Sequence, residues 1–178
     1  MKGVLVFCGS REGVKPEFGA AADALGAGLA RAGFRLVYGG GSIGLMRRLA
    51  DSALAAGGSV TGVIPRFLAD REVAHTGLTE LVQVDSMHAR KQVMLARADA
   101  VVTLPGGYGT LDETVEALTW RQLRLHDKPI LICNVAGWAD ALLAAFDAMR
   151  ISGFAYGDAL YEVFPDVGST LARLGGCV

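Results

Sequence analysis

The chain has 178 residues, of which 52% are apolar and 20% charged, and its net charge is -1 at neutral pH. This length and composition predict a single globular domain over residues 1–178 and exclude a largely disordered chain. With so little net charge, no overall basic field is available to recruit nucleic acid or an anionic membrane, so neither is expected as a partner. No apolar stretch approaches the roughly 20 residues of a membrane span, and the N-terminus is typical of a strand rather than a signal peptide.

In chain order, short apolar runs alternate with longer amphipathic segments rich in Ala and Leu. Strands are predicted at residues 3–8, 35–38, 59–64, 80–84, 100–104, 129–134 and 161–164. Helices are predicted at residues 16–32, 42–56, 86–98, 110–125 and 138–151, with a last helix from Asp166. Runs such as VLVF, AVVTL and PILIC are apolar throughout, which is typical of strands buried on both faces of a parallel sheet. The alternation predicts a doubly wound, Rossmann-like α/β fold with helices on both faces.

The three cysteines, Cys8, Cys133 and Cys177, lack the spacing of metal ligands. Cys8 and Cys133 end apolar runs, where a buried free thiol is the usual state. We therefore expect no metal and a reducing, cytoplasmic compartment. One connection, over residues 65–79, is longer than the others and polar, and loops of this length in compact domains are usually functional or mobile.

Three predicted strands end in glycine-rich turns, which read FCGSR, GGGSIG and PGGYGT. In an open parallel sheet, ligands bind beyond the carboxyl ends of the strands, where glycines allow close approach and helix N-termini offer free N–H groups. The turns therefore predict a ligand that carries a phosphate. Gly39, Gly41 and Gly44 formally match the dinucleotide fingerprint, but no carboxylate ends the next strand, so NAD is not expected. The P-loop pattern is absent from the sequence, which excludes a P-loop NTPase.

Two carboxylates, Asp112 and Glu113, follow the third of these turns. Thr110 and Glu113 have the spacing of a capping box, and Asp112 suits the positive end of the helix dipole. Glu113 has a second interpretation, because a carboxylate beside a bound phosphosugar can stabilise a developing cation, or take a proton from water, at the sugar carbon. From the residues alone, the cap and the catalytic role have about equal weight.

An adjacent pair of cations, Arg90 and Lys91, lies near the start of the helix predicted after the fourth strand. We expect that strand to lie beside the one that carries PGGYGT. Cations near a helix N-terminus oppose the helix dipole, so their position favours a role toward a ligand over a merely solvated basic surface. Met87 and Met94 share one face of this helix and are candidates for the core.

The segments MHARKQVM and PGGYGTLDE together resemble the paired signature of the Lonely Guy (LOG) family, M-H-x-R-K-x-x-M and P-G-G-x-G-T-x-x-E. Both patterns are matched in full, and the resemblance extends from FCGS through YGGGSIGLM and GVIP to TWRQLRLHDKP. Family members often carry the mistaken label of lysine decarboxylase. The resemblance implies a Rossmann-like phosphoribohydrolase without a cofactor, which converts cytokinin riboside 5'-monophosphates, and AMP, into the free base and ribose 5-phosphate.

The resemblance also implies roles for particular residues. Arg90 and Glu113 match the catalytic positions. The positions implied to contact the nucleoside monophosphate are Gly9, Ser10, Gly41, Glu72, Met87, Lys91, Gly107, Tyr108, Gly109, Thr110, Leu111, Asp112 and Thr119. Arg11 and Arg47 depart from the family, which often has Ser and usually has Gly at these places, and the effect of these cations on the phosphate pocket is open.

The family forms dimers, so the resemblance implies a homodimer, with Trp120 and Leu123 of the helix at residues 110–125 as interface candidates. Two other functions stay open. A decarboxylase would need pyridoxal phosphate on a Schiff-base lysine, for which only Lys91 lies in a motif, and a carrier would bind a nucleotide or nucleotide-like cofactor without turnover. The sequence also leaves open whether the substrate base carries an isoprenoid side chain.

Overall fold

A computed structural model of the chain describes residues 1–69, 73–155 and 160–177. The described residues form the strands β1 (Gly3–Phe7), β2 (Arg35–Tyr38), β3 (Val60–Pro65), β4 (Glu80–Val84), β5 (Ala100–Thr103), β6 (Ile130–Cys133) and β7 (Glu162–Phe164). Their helices are α1 (Pro16–Arg31), α2 (Gly44–Ala55), α3 (Arg66–Ala69), α4 (Met87–Ala96), α5 (Tyr108–Gln122), α6 (Asp140–Ile151) and α7 (Val167–Cys177). Each predicted strand and helix is present with its ends shifted by a few residues. The short α3 was not predicted, because it lies inside the expected loop.

The strands form one sheet in the order β4-β3-β2-β1-β5-β6-β7, and all of its pairs are parallel. The chain builds outward from β1 to β4 and then returns to the other side of β1 with β5. The doubly wound fold is therefore confirmed, and its order reverses between β1 and β5, which is where such sheets bind ligands. Our expectation that the fourth strand lies beside the fifth is wrong: β4 is an edge strand, and apolar runs alone do not encode strand order.

Two apolar layers hold helices against the two faces of the sheet. Alternate residues of β1 point to opposite faces, so Val4 and Val6 join one cluster while Leu5 and Phe7 join the other. The first cluster receives side chains from α1, α2 and α7, and the second from α4 and α5. This double burial explains why central strands such as β1 and β6 are apolar throughout, since each fully buried large aliphatic side chain contributes roughly 1.5–3 kcal/mol. No helix in the described part of the chain is long and apolar enough to cross a membrane.

The two described cysteine side chains, Cys8 and Cys133, are buried free thiols, as predicted. Burial raises the pKa of both thiols above the ordinary range, and at Cys8 the negative charge of Glu113 raises it further. A thiol that keeps its proton is a poor nucleophile, so neither cysteine is suited to covalent catalysis. Within the described ranges, no cluster of His, Cys, Asp and Glu is arranged to hold a metal ion.

Candidate active site

A cavity of about 600 Å³ lies beyond the carboxyl ends of β1 and β5, where the strand order reverses. Its volume falls within the roughly 300–1,000 Å³ of typical small-molecule clefts. The turns that follow these two strands supply its polar side, and apolar side chains complete it. The lining residues are Gly9, Ser10, Arg11, Glu12, Gly13, Phe18, Leu45, Pro105, Gly106, Gly107, Tyr108, Gly109 and Trp138.

Backbone hydrogen bonds join the glycine turns into one floor beneath this cavity. The Gly9 N–H donates to the Pro105 carbonyl at 3.0 Å, and the Met46 N–H of α2 donates to the Gly9 carbonyl at 3.3 Å. Gly44, at the start of α2, has a φ of 57°, and a Cβ there would collide with the backbone of Ser10. Glycine is therefore required where the turns after β1 and β2 meet. Because its N–H is already bonded, Gly9 builds the floor rather than donating to a ligand.

The N-terminus of α5 opens at the rim of the cavity. The helix begins at Tyr108, with Gly107 as its N-cap and no side-chain cap. The Leu111 N–H donates to the Gly107 carbonyl at 3.0 Å, so the N–H groups of residues 108–110 precede the first intrahelical bond. Tyr108 and Gly109 are exposed and line the cavity. Free amides and the positive end of a helix dipole together make this turn an anion-binding site.

The predicted capping box of Thr110 and Glu113 is wrong. The helix begins two residues before Thr110, so Glu113 lies in its second turn, beyond the position from which a side chain caps the N-terminus. Thr110 packs against Gly106 instead, where a Cβ would collide with the threonine hydroxyl. Its carbonyl accepts a hydrogen bond from the Thr114 hydroxyl at 2.6 Å. The alternative to a catalytic role, a helix cap, is thereby removed for Glu113.

Glu113 itself is half-buried beneath the open turn. Its charge contributes to the raised pKa of Cys8, which immediately follows β1. The carboxylate therefore lies near the carboxyl end of β1, at the strand-order reversal, although Glu113 is not among the residues that line the cavity.

Arg90 is 4% exposed and is held at the ends of two other strands. Its Nε donates to the Val63 carbonyl of β3 at 3.1 Å, and its Nη2 donates to the Gly39 carbonyl after β2 at 2.7 Å. Its Nη1 lies 3.9 Å from the Sδ of the half-buried Met87. Because β2 pairs with β1, and paired strands lie about 4.8 Å apart, Arg90 and Glu113 lie at neighbouring strand ends. Although β4 is remote from β5, α4 packs back over the sheet and brings Arg90 inward.

The glycine turn after β2 is closed, unlike the turn after β5. Its carbonyl at Gly41 accepts a hydrogen bond from the Tyr38 hydroxyl at 3.2 Å, and Gly41 forms an antiparallel bridge with Ala74. The Ser42 N–H donates to the Val73 carbonyl at 2.9 Å. Gly41 is buried and is not among the residues that line the cavity. The described contacts make this turn a support for Arg90.

Lys91 connects α4 to α5. Its Nζ lies 3.0 Å from a carboxylate oxygen of Asp112 and 3.0 Å from one of Glu116. Burial alone would lower the pKa of Lys91, but the hydrogen bonds and charges of these two carboxylates outweigh burial and raise it. The ammonium therefore stays charged. Lys91 and Asp112 were expected to contact the nucleotide, and here they contact each other.

Thr119, also implied by the resemblance, lies apart from these groups. Thr119 is exposed on α5, and its hydroxyl donates to the Val115 carbonyl at 2.8 Å. At 1.5 Å of rise per residue it lies about 9 Å along the helix from Glu113. Glu72 falls outside the described residues.

Residues 46–164 match the family model described as "Possible lysine decarboxylase". The chain belongs to this family. Its curated relatives include a probable cytokinin riboside 5'-monophosphate phosphoribohydrolase of Oryza sativa subsp. japonica, 46% identical over 87% of this chain and 70% of the relative. The cytokinin riboside 5'-monophosphate phosphoribohydrolase of Rhodococcoides fascians is 46% identical over 86% of this chain and 78% of the relative. These relatives confirm the LOG family that the paired motifs indicated.

Solved structures support the fold. The molybdenum cofactor carrier protein of Chlamydomonas reinhardtii superposes with a TM-score of 0.75 at 21% identity, over 99% of this chain and 97% of that one. The molybdenum cofactor binding protein of Rippkaea orientalis superposes with a TM-score of 0.74 at 20% identity, over 99% and 97%. At this level of identity the likeness shows a shared architecture and nothing about the ligand.

The sequence motifs did not indicate two of the residues that line the cavity, Trp138 and Phe18. Trp138 lines the cavity, and its Nε1 donates to the Cys133 carbonyl at 3.0 Å. Phe18 of α1 lines the cavity as well. Neither belongs to a glycine turn or a motif, so only the strand order, which brings α1 and the segment after β6 to one edge, could have identified them.

Proposed function

We propose that this protein is a cytokinin riboside 5'-monophosphate phosphoribohydrolase that also accepts AMP. With water, it cleaves the N-glycosidic bond and releases the free base and ribose 5-phosphate. The curated relatives that carry this activity in their names share about 46% of their residues with the chain across most of its length. The structural observation that supports the proposal is that Glu113 lies near the end of β1, Arg90 is held at the end of the neighbouring β2, and α5 begins at the same edge of the sheet with no side-chain cap.

The phosphate of the substrate binds at the turn after β5. The free N–H groups of residues 108–110 donate to its oxygens, and the dipole of α5 favours its charge. Ser10, which lines the same cavity, adds a hydroxyl. Anchoring the phosphate here places the ribose further along the cavity, toward the second turn of α5.

Glu113 acts on the sugar. Its carboxylate stabilises the positive charge that develops on the anomeric carbon and accepts a proton from the attacking water, while the bond from that carbon to the base nitrogen breaks. The water oxygen bonds to the carbon, and the proton that Glu113 took from the water passes to the base nitrogen, so the base leaves neutral and the carboxylate is regenerated. Arg90 attracts and orients the carboxylate, and its own orientation is fixed by the Val63 and Gly39 carbonyls.

The decarboxylase alternative is disfavoured by Lys91. A Schiff base forms from a neutral amine, and lysines with that role have a lowered pKa. The pKa of Lys91 is raised, because Glu116 and Asp112 hold its ammonium against the opposing effect of burial. The purified protein is therefore expected to lack the visible absorption band of bound pyridoxal phosphate.

Replacing the carboxylate tests the proposal directly. Glu113→Gln keeps the size and hydrogen-bonding capacity of the side chain and removes its charge. We expect AMP to bind as it does to the wild type, with release of ribose 5-phosphate lowered by at least about a thousandfold. Calorimetric titration with AMP and a coupled assay for ribose 5-phosphate measure the two quantities.

The control substitution is Glu116→Gln, on the same helix but paired with Lys91. This variant is expected to turn over AMP at close to the wild-type rate. Full activity of Glu113→Gln would refute the assigned role, and tight binding without turnover by the wild type would identify a carrier instead. Unphosphorylated nucleosides must also be poor substrates, because they lack the anchoring group.

The oligomeric state is a further part of the proposal. We infer a homodimer that forms through α5, where Val115 is 42% exposed, and through the segment just after it, where Leu123 is 61% and Leu125 69% exposed. Large exposed apolar residues on one helix and the segment after it favour an interface. Light scattering is expected to give twice the monomer mass, and Leu123→Asp is expected to lower it.

A further inference from the structure

A short segment, Val73 to His75, fastens the closed glycine turn from outside. The His75 N–H donates to the Gly40 carbonyl at 3.0 Å, and the Val73 carbonyl accepts from the Ser42 N–H at 2.9 Å. Between these bonds, Ala74 bridges Gly41 in antiparallel register. Val73 has a φ of 48°, which a β-branched residue adopts only when its surroundings hold it there.

The side chain of His75 fixes this segment in place. The ring is 9% exposed. Its Nδ1 accepts from the Gly77 N–H at 3.0 Å, and since a backbone N–H only donates, the proton of the ring lies on Nε2. Nε2 then donates to the Asp51 Oδ1 at 2.8 Å. Asp51 belongs to α2, the helix that begins directly after the glycine turn.

The turn held in this way is the one that orients Arg90. The Gly39 carbonyl accepts the 2.7 Å hydrogen bond from Arg90 Nη2, and a Cβ at Gly39 would collide with that atom. A small displacement of the turn therefore moves the acceptor on which the guanidinium depends. Neither His75 nor Asp51 lines the cavity.

We propose that His75, tethered by Asp51, is a positioning residue for Arg90. The tether is the hydrogen bond between His75 and Asp51, which holds the segment from Val73 to His75 in place. That segment holds the glycine turn, and the turn orients the Arg90 guanidinium toward the reacting sugar. This inference rests on the proposed phosphoribohydrolase function for its kinetic test. Misplacement of a reacting group by about 1 Å can lower a rate by about a hundredfold, so a tether remote from the substrate can control turnover.

The cleanest test changes Asp51, because its side chain is 57% exposed and its loss leaves no core cavity. Asp51→Ala removes the acceptor for His75, and Asp51→Asn keeps an acceptor oxygen while removing the charge. We expect Asp51→Ala to lower kcat for AMP about tenfold or more with KM within about threefold, and Asp51→Asn to recover most of kcat. His75→Gln, which keeps a donor toward Asp51, is expected to retain more activity than His75→Ala.

Asp23→Ala is the matched control. Like Asp51, Asp23 is a partly exposed carboxylate that bonds to a side chain, and its partner Arg48 lies on α2. Asp23 itself makes no described contact with the glycine turn, so its loss leaves the turn unchanged. Its kcat is expected to equal that of the wild type. Wild-type kcat in Asp51→Ala, or an equal loss in Asp51→Ala and Asp51→Asn, would overturn the proposal.

Amide hydrogen exchange separates failure of this proposal from failure of the proposed function. If the wild type releases no ribose 5-phosphate, the enzyme function fails and the tether is judged by exchange alone. Faster exchange at the Ser42 and His75 amides in Asp51→Ala than in Asp51→Asn supports the tether. Unchanged exchange at both amides overturns it.

Discussion

The glycine turns after β2 and after β5 are similar in sequence but differ in their contacts: the first is bonded to other parts of the protein, and the second lines the cavity. The turn after β2 has three glycines between its strand and its helix, whereas the turn after β5 has two, Gly106 and Gly107, and Gly109 follows in the first turn of α5. The turn after β5 leads into a helix that has no side-chain cap and whose first two residues, Tyr108 and Gly109, line the cavity. The turn after β2 has its carbonyls and its Ser42 N–H bonded to Arg90, Tyr38 and the segment from Val73 to His75. One turn is open to the cavity, and the other holds Arg90, which we propose to be catalytic.

A glycine-rich turn between a strand and a helix therefore indicates that another group can come close to the backbone. It does not indicate whether that group is a side chain of the protein or a ligand. At Gly39 the close neighbour is the Arg90 guanidinium, and a Cβ would collide with it. At Gly107 and Gly109 nothing lies within 4 Å of the position that a Cβ would take, so the space is left for a ligand. The surroundings of each glycine, rather than the motif, separate the two functions.

The largest effect is expected where the closed turn meets Arg90. Arg90→Lys keeps the charge but replaces a planar fork, which spans the Val63 and Gly39 carbonyls, with a single ammonium. One buried carbonyl then loses its donor, which lowers the free energy of unfolding by about 1–3 kcal/mol. The rate of ribose 5-phosphate release is expected to fall by about a hundredfold or more. Urea unfolding and the coupled assay measure the two changes.

Arg47→Lys is the control for this substitution, because Arg47 is exposed on α2 and does not line the cavity. Both its stability and its activity are expected to match the wild type. An Arg90→Lys protein as stable and as active as Arg47→Lys would show that the closed turn does not depend on the guanidinium.

The next effect compares the same substitution in the two turns. Gly39→Ala forces the buried Arg90 to move, and overpacking of this kind costs about 1–3 kcal/mol. Gly109→Ala meets no neighbouring atom and lies in a helix, so it is expected to raise stability by about 0.4–1 kcal/mol. The added methyl group at residue 109 narrows the proposed phosphate site. We therefore expect KM for AMP to rise even though the free energy of unfolding increases. If both variants changed stability in the same direction, the contrast between the turns would be wrong.

The sequence was sufficient for the fold class because buried parallel strands are apolar at every position, as VLVF in β1 shows. The strand order was not predicted, although the polar residues of β4, ELVQV, are typical of an edge strand, whereas β5, AVVT, is buried throughout. The start of α5 was misplaced because Gly109 is a poor helix former and Thr110 a good cap, while the packing of Thr110 on Gly106 that decides the matter is a tertiary contact.

For the candidate site, the motifs identified Arg90 and the open turn after β5, while the support around them was not visible. The bonds from Val73 and His75 to the turn after β2 join segments far apart in sequence, through backbone groups that every residue possesses. Trp138 reaches the cavity from beyond β6 and belongs to no motif. Sequence patterns thus reveal groups with distinctive chemistry, and miss those whose role depends on placement.

The smallest effect is expected at the outer side of the open turn. Asp112 is 59% exposed and shares Lys91 with Glu116, which still holds the ammonium when Asp112 is changed. Asp112→Asn is therefore expected to cost only about 0.2–1 kcal/mol of unfolding free energy, as exposed ion pairs do. KM for AMP should stay within about twofold of the wild type, measured beside Gly109→Ala. A tenfold rise in KM at unchanged stability would instead indicate that Asp112 contacts the nucleotide, as the family resemblance implies. The ligand would then bind side chains of the first turns of α5 as well as the backbone amides at its start.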